Sequence, residues 1–255
     1  MKKFLVSLMV LAMVFGLIAC GQKETEEENT SEEITTKSDT SSEEDTTAEV
    51  EFPAEPMSYA DYMAAELETP VFVEVYVQAN QSWWDNKVTV YAADAEGNGY
   101  FLYNMACPEE DKDKIAEGAK ILVKGFKAAW AGEIEITDAT FEAAEGDAVI
   151  VEAVDLTDKL DAEDLIDYQN VKATFTEMTV KEISFKDSES DKDIYVTLTK
   201  GEKEYGFCVE NYLCGPDTEV YKTVAALEAG DVIDVTGFVY WYEGINTHIT
   251  EVVKK

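Results

Sequence analysis

The sequence predicts a mainly β chain folded as two tandem five-stranded Greek-key barrels, each with a short helix between its third and fourth strands. Three observations predict it: period-two alternation of apolar residues, an internal repeat, and a helical pattern at the same place in both copies. The repeat is the most specific of the three. Gly118-x-x-Ile121-x-Val123-x-Gly125-Phe126 returns as Gly230-x-x-Ile233-x-Val235-x-Gly237-Phe238. Asn104-x-x-Cys107 returns as Asn211-x-x-Cys214, Trp130 as Trp241, and Ile136-Thr137-Asp138 as Ile249-Thr250-Glu251.

In the first copy Val71, Val73, Val75 and Val77 share one strand face. Val88, Val90 and Ala92 mark a second strand; Gly97-Asn98-Gly99 supplies a turn, and 100–105 forms a third. Residues 108–117 read as a short helix, with Pro108 in its first turn and Gly118 past its end. Strands over 119–129 and 133–141 complete five. The second copy repeats the order with strands over 171–183, 194–199, 204–209, 232–240 and 245–253 and a helix within 216–229. Each copy is preceded by a helical pattern, capped by Ser58 over 59–67 and by Asp161 over 162–168. The domains are therefore 57–142 and 161–255. The connector 143–160 carries an apolar run at 148–151, through which the barrels are expected to pack.

Five strands with a helix between the third and fourth is the strand order of an OB-fold, a small partly open barrel. Glycines in the fourth strand suit its sharp curvature. The stretches Tyr76-Val77-Gln78-Ala79-Asn80-Gln81-Ser82-Trp83-Trp84-Asp85 and Tyr103-Asn104-Met105-Ala106-Cys107 resemble the tandem OB-fold lipoproteins of gut Firmicutes. The resemblance implies architecture and location and brings no mechanism.

The N-terminus supports the same location. Lys2 and Lys3 precede an apolar run over 4–18, too short for a comfortable membrane span and of signal-peptide length. It ends in Leu17-Ile18-Ala19-Cys20-Gly21, which resembles a lipobox. The resemblance implies removal of signal peptide 1–19, acylation of Cys20 and anchoring on the extracytoplasmic face of the cell membrane. Residues 20–56 are Glu-, Ser- and Thr-rich and nearly devoid of apolar residues, the composition of a disordered acidic tether.

The net charge is −34, and all 20 basic residues are lysines. Phosphate neutralisation supplies most nucleic-acid affinity, and arginine is the usual bidentate phosphate reader. The charge therefore argues against nucleic acid as a partner. Besides Cys20 three cysteines remain, Cys107, Cys208 and Cys214, an odd number that leaves at least one thiol unpaired.

OB-folds bind on the face of strands two and three, flanked by the one-to-two and four-to-five loops. Aromatic residues expected there are the candidate ligand contacts: Trp83 and Trp84 in the first loop, Tyr91 and Tyr103 on the strand face, Trp130 in the four-to-five loop, and Tyr240, Trp241 and Tyr242 in that loop of the second copy. Asn104 and Asn211 suit turns at the ends of the third strands. Asp94-x-Glu96-x-Asn98-Gly99 echoes a calcium loop but lacks the closing acidic residue, so a hairpin turn is expected. The acidic run at 187–193 reads as a solvated loop. His248 is the only histidine and is expected to face out; with no partner serine or cysteine it makes no triad. The Cys208/Cys214 spacing is not a zinc knuckle. No metal, cofactor or catalytic set is expected. The leading expectation is a non-enzymatic cell-surface adaptor for a glycan, peptide or protein. The alternative is a single-stranded nucleic-acid binder.

Overall fold

The computed structural model describes residues 50–189 and 191–255. The expected signal peptide 1–19, the expected lipidation site Cys20 and the expected tether up to 49 lie outside the described residues. The tether was expected to continue without structure to 56, but Phe52 lies against Phe126 of the first barrel, ring centroids 5.8 Å apart.

Ser58 accepts the Asp61 backbone N–H and so caps α1 (Tyr59–Ala64). The helix stops short of the expected 67. The buried Lys127 ammonium takes the carbonyls of Met63 and Ala65 at its end, at 2.7 and 2.8 Å. Strands β1 (Pro70–Asn80), β2 (Lys87–Ala93), β3 (Gly99–Ala106), β4 (Lys120–Trp130) and β5 (Glu133–Ala143) close into a barrel of order β1-β2-β3-β5-β4. All pairs are antiparallel except β3–β5. Val71, Val73, Val75 and Val77 are all fully buried in it. Each such valine contributes about 1.5–3 kcal/mol over an exposed one. The expected helix between β3 and β4 is a 3₁₀ segment, Glu109–Ile115, which inserts Ile115 into the core.

The second copy follows the same path. Its strands are β7 (Lys172–Phe185), β8 (Ile194–Lys200), β9 (Lys203–Val209), β10 (Val232–Phe238) and β11 (Asn246–Lys254). A short β6 (Val154–Asp155) precedes them and adds in parallel to β7. The sheet order is β10-β11-β9-β8-β7-β6, and β10 also pairs with β7, leaving β6 as an added edge strand. Helix α2 (Glu219–Ala225), capped by Thr218, occupies the plug position. The expected helix capped by Asp161 is instead a 3₁₀ segment, Glu163–Tyr168, with no side-chain cap. Asp161 is engaged by Tyr205 and Lys203, at 2.7 and 2.8 Å.

The repeated glycines have a common cause. Gly125 and Gly237 sit at bulges in the pairing of the fourth and fifth strands. A Cβ at Gly237 would lie 2.1 Å from the His248 carbonyl oxygen, and one at Gly125 would lie 2.6 Å from Ile136. The strands bend there because no side chain stands between them.

The barrels pack directly on each other, and the connector plays a different part from the one expected. Its segment 148–151 is bound to the first barrel: Val149 donates to Gly118, and Gln78 bridges Val149 and Val151. The inter-barrel contact is aromatic. Tyr91 stacks on Phe238 at 4.3 Å and 6°, with Phe101 at 4.9 Å. At Gly99 the backbones nearly touch; an added Cβ would sit 2.1 Å from the Asn170 carbonyl carbon. Tyr91, expected on an open binding face, is fully buried in this interface. His248, expected to face out, is 6% exposed.

Candidate functional site

The β1–β2 connection is a tight local structure. Trp84 and Lys87 exchange backbone hydrogen bonds across Asp85 and Asn86, whose φ angles are 49° and 58°. Asp and Asn tolerate this left-handed pair, the signature of a two-residue hairpin turn. The turn holds Trp84 out, 77% exposed. Its neighbour Trp83 points the other way. Trp83 packs on the first core, donates Nε1–H to the Cys107 carbonyl at 2.8 Å, and carries Lys112 3.6 Å above its ring.

Trp84 stands at one side of a groove of about 640 Å³. Tyr103, 46% exposed, lines it from β3, with Phe101 beside it at 6.3 Å. The second barrel supplies the rest. Tyr212, 62% exposed, follows β9, and its carbonyl accepts from Ser82 N at 2.7 Å, tying the two loops together. Tyr240 meets Phe101 edge-on at 5.4 Å and stacks on His248 at 4.4 Å and 24°. The groove thus lies on the strand-two and strand-three face of the first barrel and is completed by the second.

Of the eight aromatic residues read from the sequence, Trp83, Trp84, Tyr103 and Tyr240 line this groove. Tyr91 and Trp241 serve the inter-barrel contact. Trp241 lies against Gly132, where a Cβ would come within 2.8 Å of its ring, and its N–H donates to Glu133 at 2.7 Å. Trp130 and Tyr242 are exposed, at 61% and 52%, outside the groove lining. Phe101, Tyr212 and His248 were missed. Phe101 was legible, being two residues from Tyr103 on one strand face. Tyr212 is in a loop and gave no periodic signal.

The groove's charged groups are few. Lys87 is its lysine and Glu210 its carboxylate. Burial pushes Glu210 up to about 7, against the backbone N–H groups of Tyr212 and Leu213 that favour its charged form. Burial pulls His248 down to about 4, with Asp193 acting in the opposite sense, so the ring is neutral. Among the described residues no group of three or more His, Cys, Asp or Glu is placed to hold a metal ion. The Asp94 loop is a turn, its carboxylate accepting from Glu96 N, Asn98 N and Asn98 Nδ2. Cys107, Cys208 and Cys214 are free and buried. No helix among the described residues is long and apolar enough to cross a membrane.

No protein-family model matches the chain, and no curated protein matches it. Solved structures similar to it include a murine DNA-binding protein bound to double-stranded DNA, at 14% identity and TM-score 0.37, covering 72% of this chain and 96% of that one. The Ifi202 HINa domain in complex with 20-bp double-stranded DNA is 15% identical at TM-score 0.33, covering 74% and 96%. A replication protein A heterotrimer bound to single-stranded DNA is 13% identical at TM-score 0.31, covering 80% of this chain and 51% of that one. All three are DNA complexes. The expectations of a glycan, peptide or protein adaptor, and of charge setting nucleic acid aside, are corrected to this extent: folds similar to this one occur in DNA complexes. The physical fault in that argument is local: a net charge of −34 describes the whole chain, whereas the groove holds one lysine and one carboxylate of raised pKa. At these scores the likeness assigns no ligand to particular residues.

Proposed function

We propose that the groove binds single-stranded nucleic acid by stacking unpaired bases on Trp84, Tyr103 and Tyr212. The observation that carries this is three exposed aromatic rings around one groove on the face that OB-folds use. Each stacked base is worth about 1–3 kcal/mol and needs no particular sequence. The module is proposed to act by binding alone; the groove's histidine has its Nδ1 committed to Tyr91 at 2.7 Å. We further propose that the barrels are carried outside the cell membrane by a lipid on Cys20. The support is the apolar run 4–18 ending in Ala19-Cys20-Gly21, and palmitate labelling that persists in Cys20→Ala would refute it.

The electrostatics give the binding reading a distinctive test. Each phosphate neutralised contributes a salt slope of about −0.7 on single strands. Lys87 is the groove's one lysine, and the surrounding protein is acidic. Affinity for an oligodeoxythymidine, followed by tryptophan fluorescence, should therefore stay flat or rise with salt. Trp84→Ala and Tyr212→Ala should each weaken it. Absence of quenching and of gel retardation at both low and high salt refutes the function.

A further inference from the structure

We propose that His248 is the hydrogen-bond donor that reads the edge of a base stacked in the groove, its proton held on Nε2 by Tyr91. The inference rests on the nucleic-acid reading and names the chemistry the groove selects: a flat ring with an in-plane acceptor, a carbonyl oxygen or an unprotonated ring nitrogen.

Tyr91 Oη and His248 Nδ1 lie 2.7 Å apart. Tyr91 is fully buried, and among the described residues its hydroxyl has no other partner. If the hydroxyl accepted from Nδ1–H, its own hydrogen would be left buried and unpaired, at the full desolvation cost. It therefore donates, Nδ1 accepts, and the neutral ring carries its proton on Nε2. Burial keeps the ring neutral.

The ring is held by one further neighbour besides Tyr91. Tyr240 stacks on it at 4.4 Å, and Tyr91 meets it edge-on at 6.0 Å. Nδ1 is engaged by Tyr91 in the inter-barrel contact, and His248 is also one of the residues that line the groove. Among the described residues nothing pairs with Nε2, although His248 is only 6% exposed. Glu210, the carboxylate of the same groove, already accepts from Leu213 N at 2.8 Å. The result is a fixed donor beside an aromatic floor, with no hydrogen-bond partner among the described residues.

His248 is the chain's only histidine, so ¹⁵N-histidine labelling gives one unambiguous ring spectrum. The free protein should show the Nε2–H tautomer, and an oligodeoxythymidine should shift Nε2 while leaving Nδ1 bound to Tyr91. An Nδ1–H tautomer overturns the inference, as does tight oligonucleotide binding with Nε2 unmoved. An abasic oligonucleotide producing the same shift also overturns it, because the acceptor would then be phosphate. The double variant Tyr91→Phe with His248→Phe keeps an aromatic ring at each position, removes both polar groups and should fold. It should bind the oligonucleotide roughly tenfold more weakly, the loss of one hydrogen bond. Wild-type affinity in that variant, with Trp84→Ala still impaired, sinks the His248 inference and leaves the function standing. No binding by the wild-type protein sinks both.

Discussion

Glu133 is a carboxylate with no solvent exposure, set between the two barrels. One oxygen accepts from Asn170 Nδ2 at 2.5 Å and the other from Trp241 N at 2.7 Å. Burial nevertheless dominates and pushes the group from 4.5 up to about 8. The sign of the consequence is fixed by linkage. Below pH 4.5 folded and unfolded chains both hold the proton. Between 4.5 and about 8 only the folded chain holds it, so stability falls as pH rises through that window and then levels off. At about 1.36 kcal/mol per pH unit the full loss is of order 5 kcal/mol, an upper figure. Glu133→Gln removes it. The glutamine oxygen can keep the Trp241 N–H, and its amide can donate to Asn170 Oδ1, which is buried without a partner, once the Asn170 amide turns over. The variant should match the wild type near pH 4.5 and exceed it above pH 8 by several kcal/mol, about 10 °C in Tm. Denaturant unfolding across pH measures this. Subtracting variant from wild type cancels Glu210, whose raised pKa acts in the same direction, whereas Glu135, whose charge helps raise Glu133, cancels only in part. Parallel stability–pH curves, or a variant less stable than wild type above pH 8, would refute the reasoning.

Trp83 and Trp84, both read from the sequence as loop ligand contacts, should separate cleanly. Trp83→Ala loses core packing and the Cys107 bond and should cost about 3 kcal/mol. Trp84→Ala should stay within about 0.5 kcal/mol in thermal melts; equal losses would contradict the opposed orientations. Gly99→Val should part the barrels at Asn170, seen as a larger radius in solution scattering and faster proteolysis within 144–170; an unchanged radius would mean the contact yields elsewhere. The three buried thiols should resist alkylation in the native state and all react on unfolding, since burial raises Cys214 to about 11 and Cys208 further; a fast native reaction would place a thiol at the surface.

The strands were legible where one face of a sheet is buried and the other is not. Val71 to Val77 alternate because the outer side of β1 keeps Glu74 and Tyr76 partly exposed. The glycines of the repeat were legible because their need is local: a bulge that excludes a side chain. What failed were residues buried on a second side by the other copy. In β2 the six residues after Lys87 are all buried, so alternation cannot distinguish Val90, in its own barrel core, from Tyr91, in the inter-barrel contact. His248 failed for the same reason, with Thr247, His248 and Ile249 buried in succession. Asp161 failed because a tyrosine and a lysine on β9 outcompete a helix N-terminus for its carboxylate.

The same geometry explains why charge misled. Of the 54 acidic residues, thirteen fall within 22–56, outside both barrels, and most others are spread over exposed faces. A summed charge governs long-range approach, but at physiological salt its reach is about 8 Å. Contact inside the groove is decided by what lines it. There, one copy contributes Trp84 and Tyr103, and the other contributes Tyr212, Tyr240 and the neutral His248. Neither copy holds the groove alone, so no scan of a single barrel could have found it. A ligand spanning it touches both barrels, and tight binding should accordingly protect the inter-barrel backbone around Gly99 and Asn170 from hydrogen exchange. Protection confined to the first barrel would mean that the second copy only props up the site.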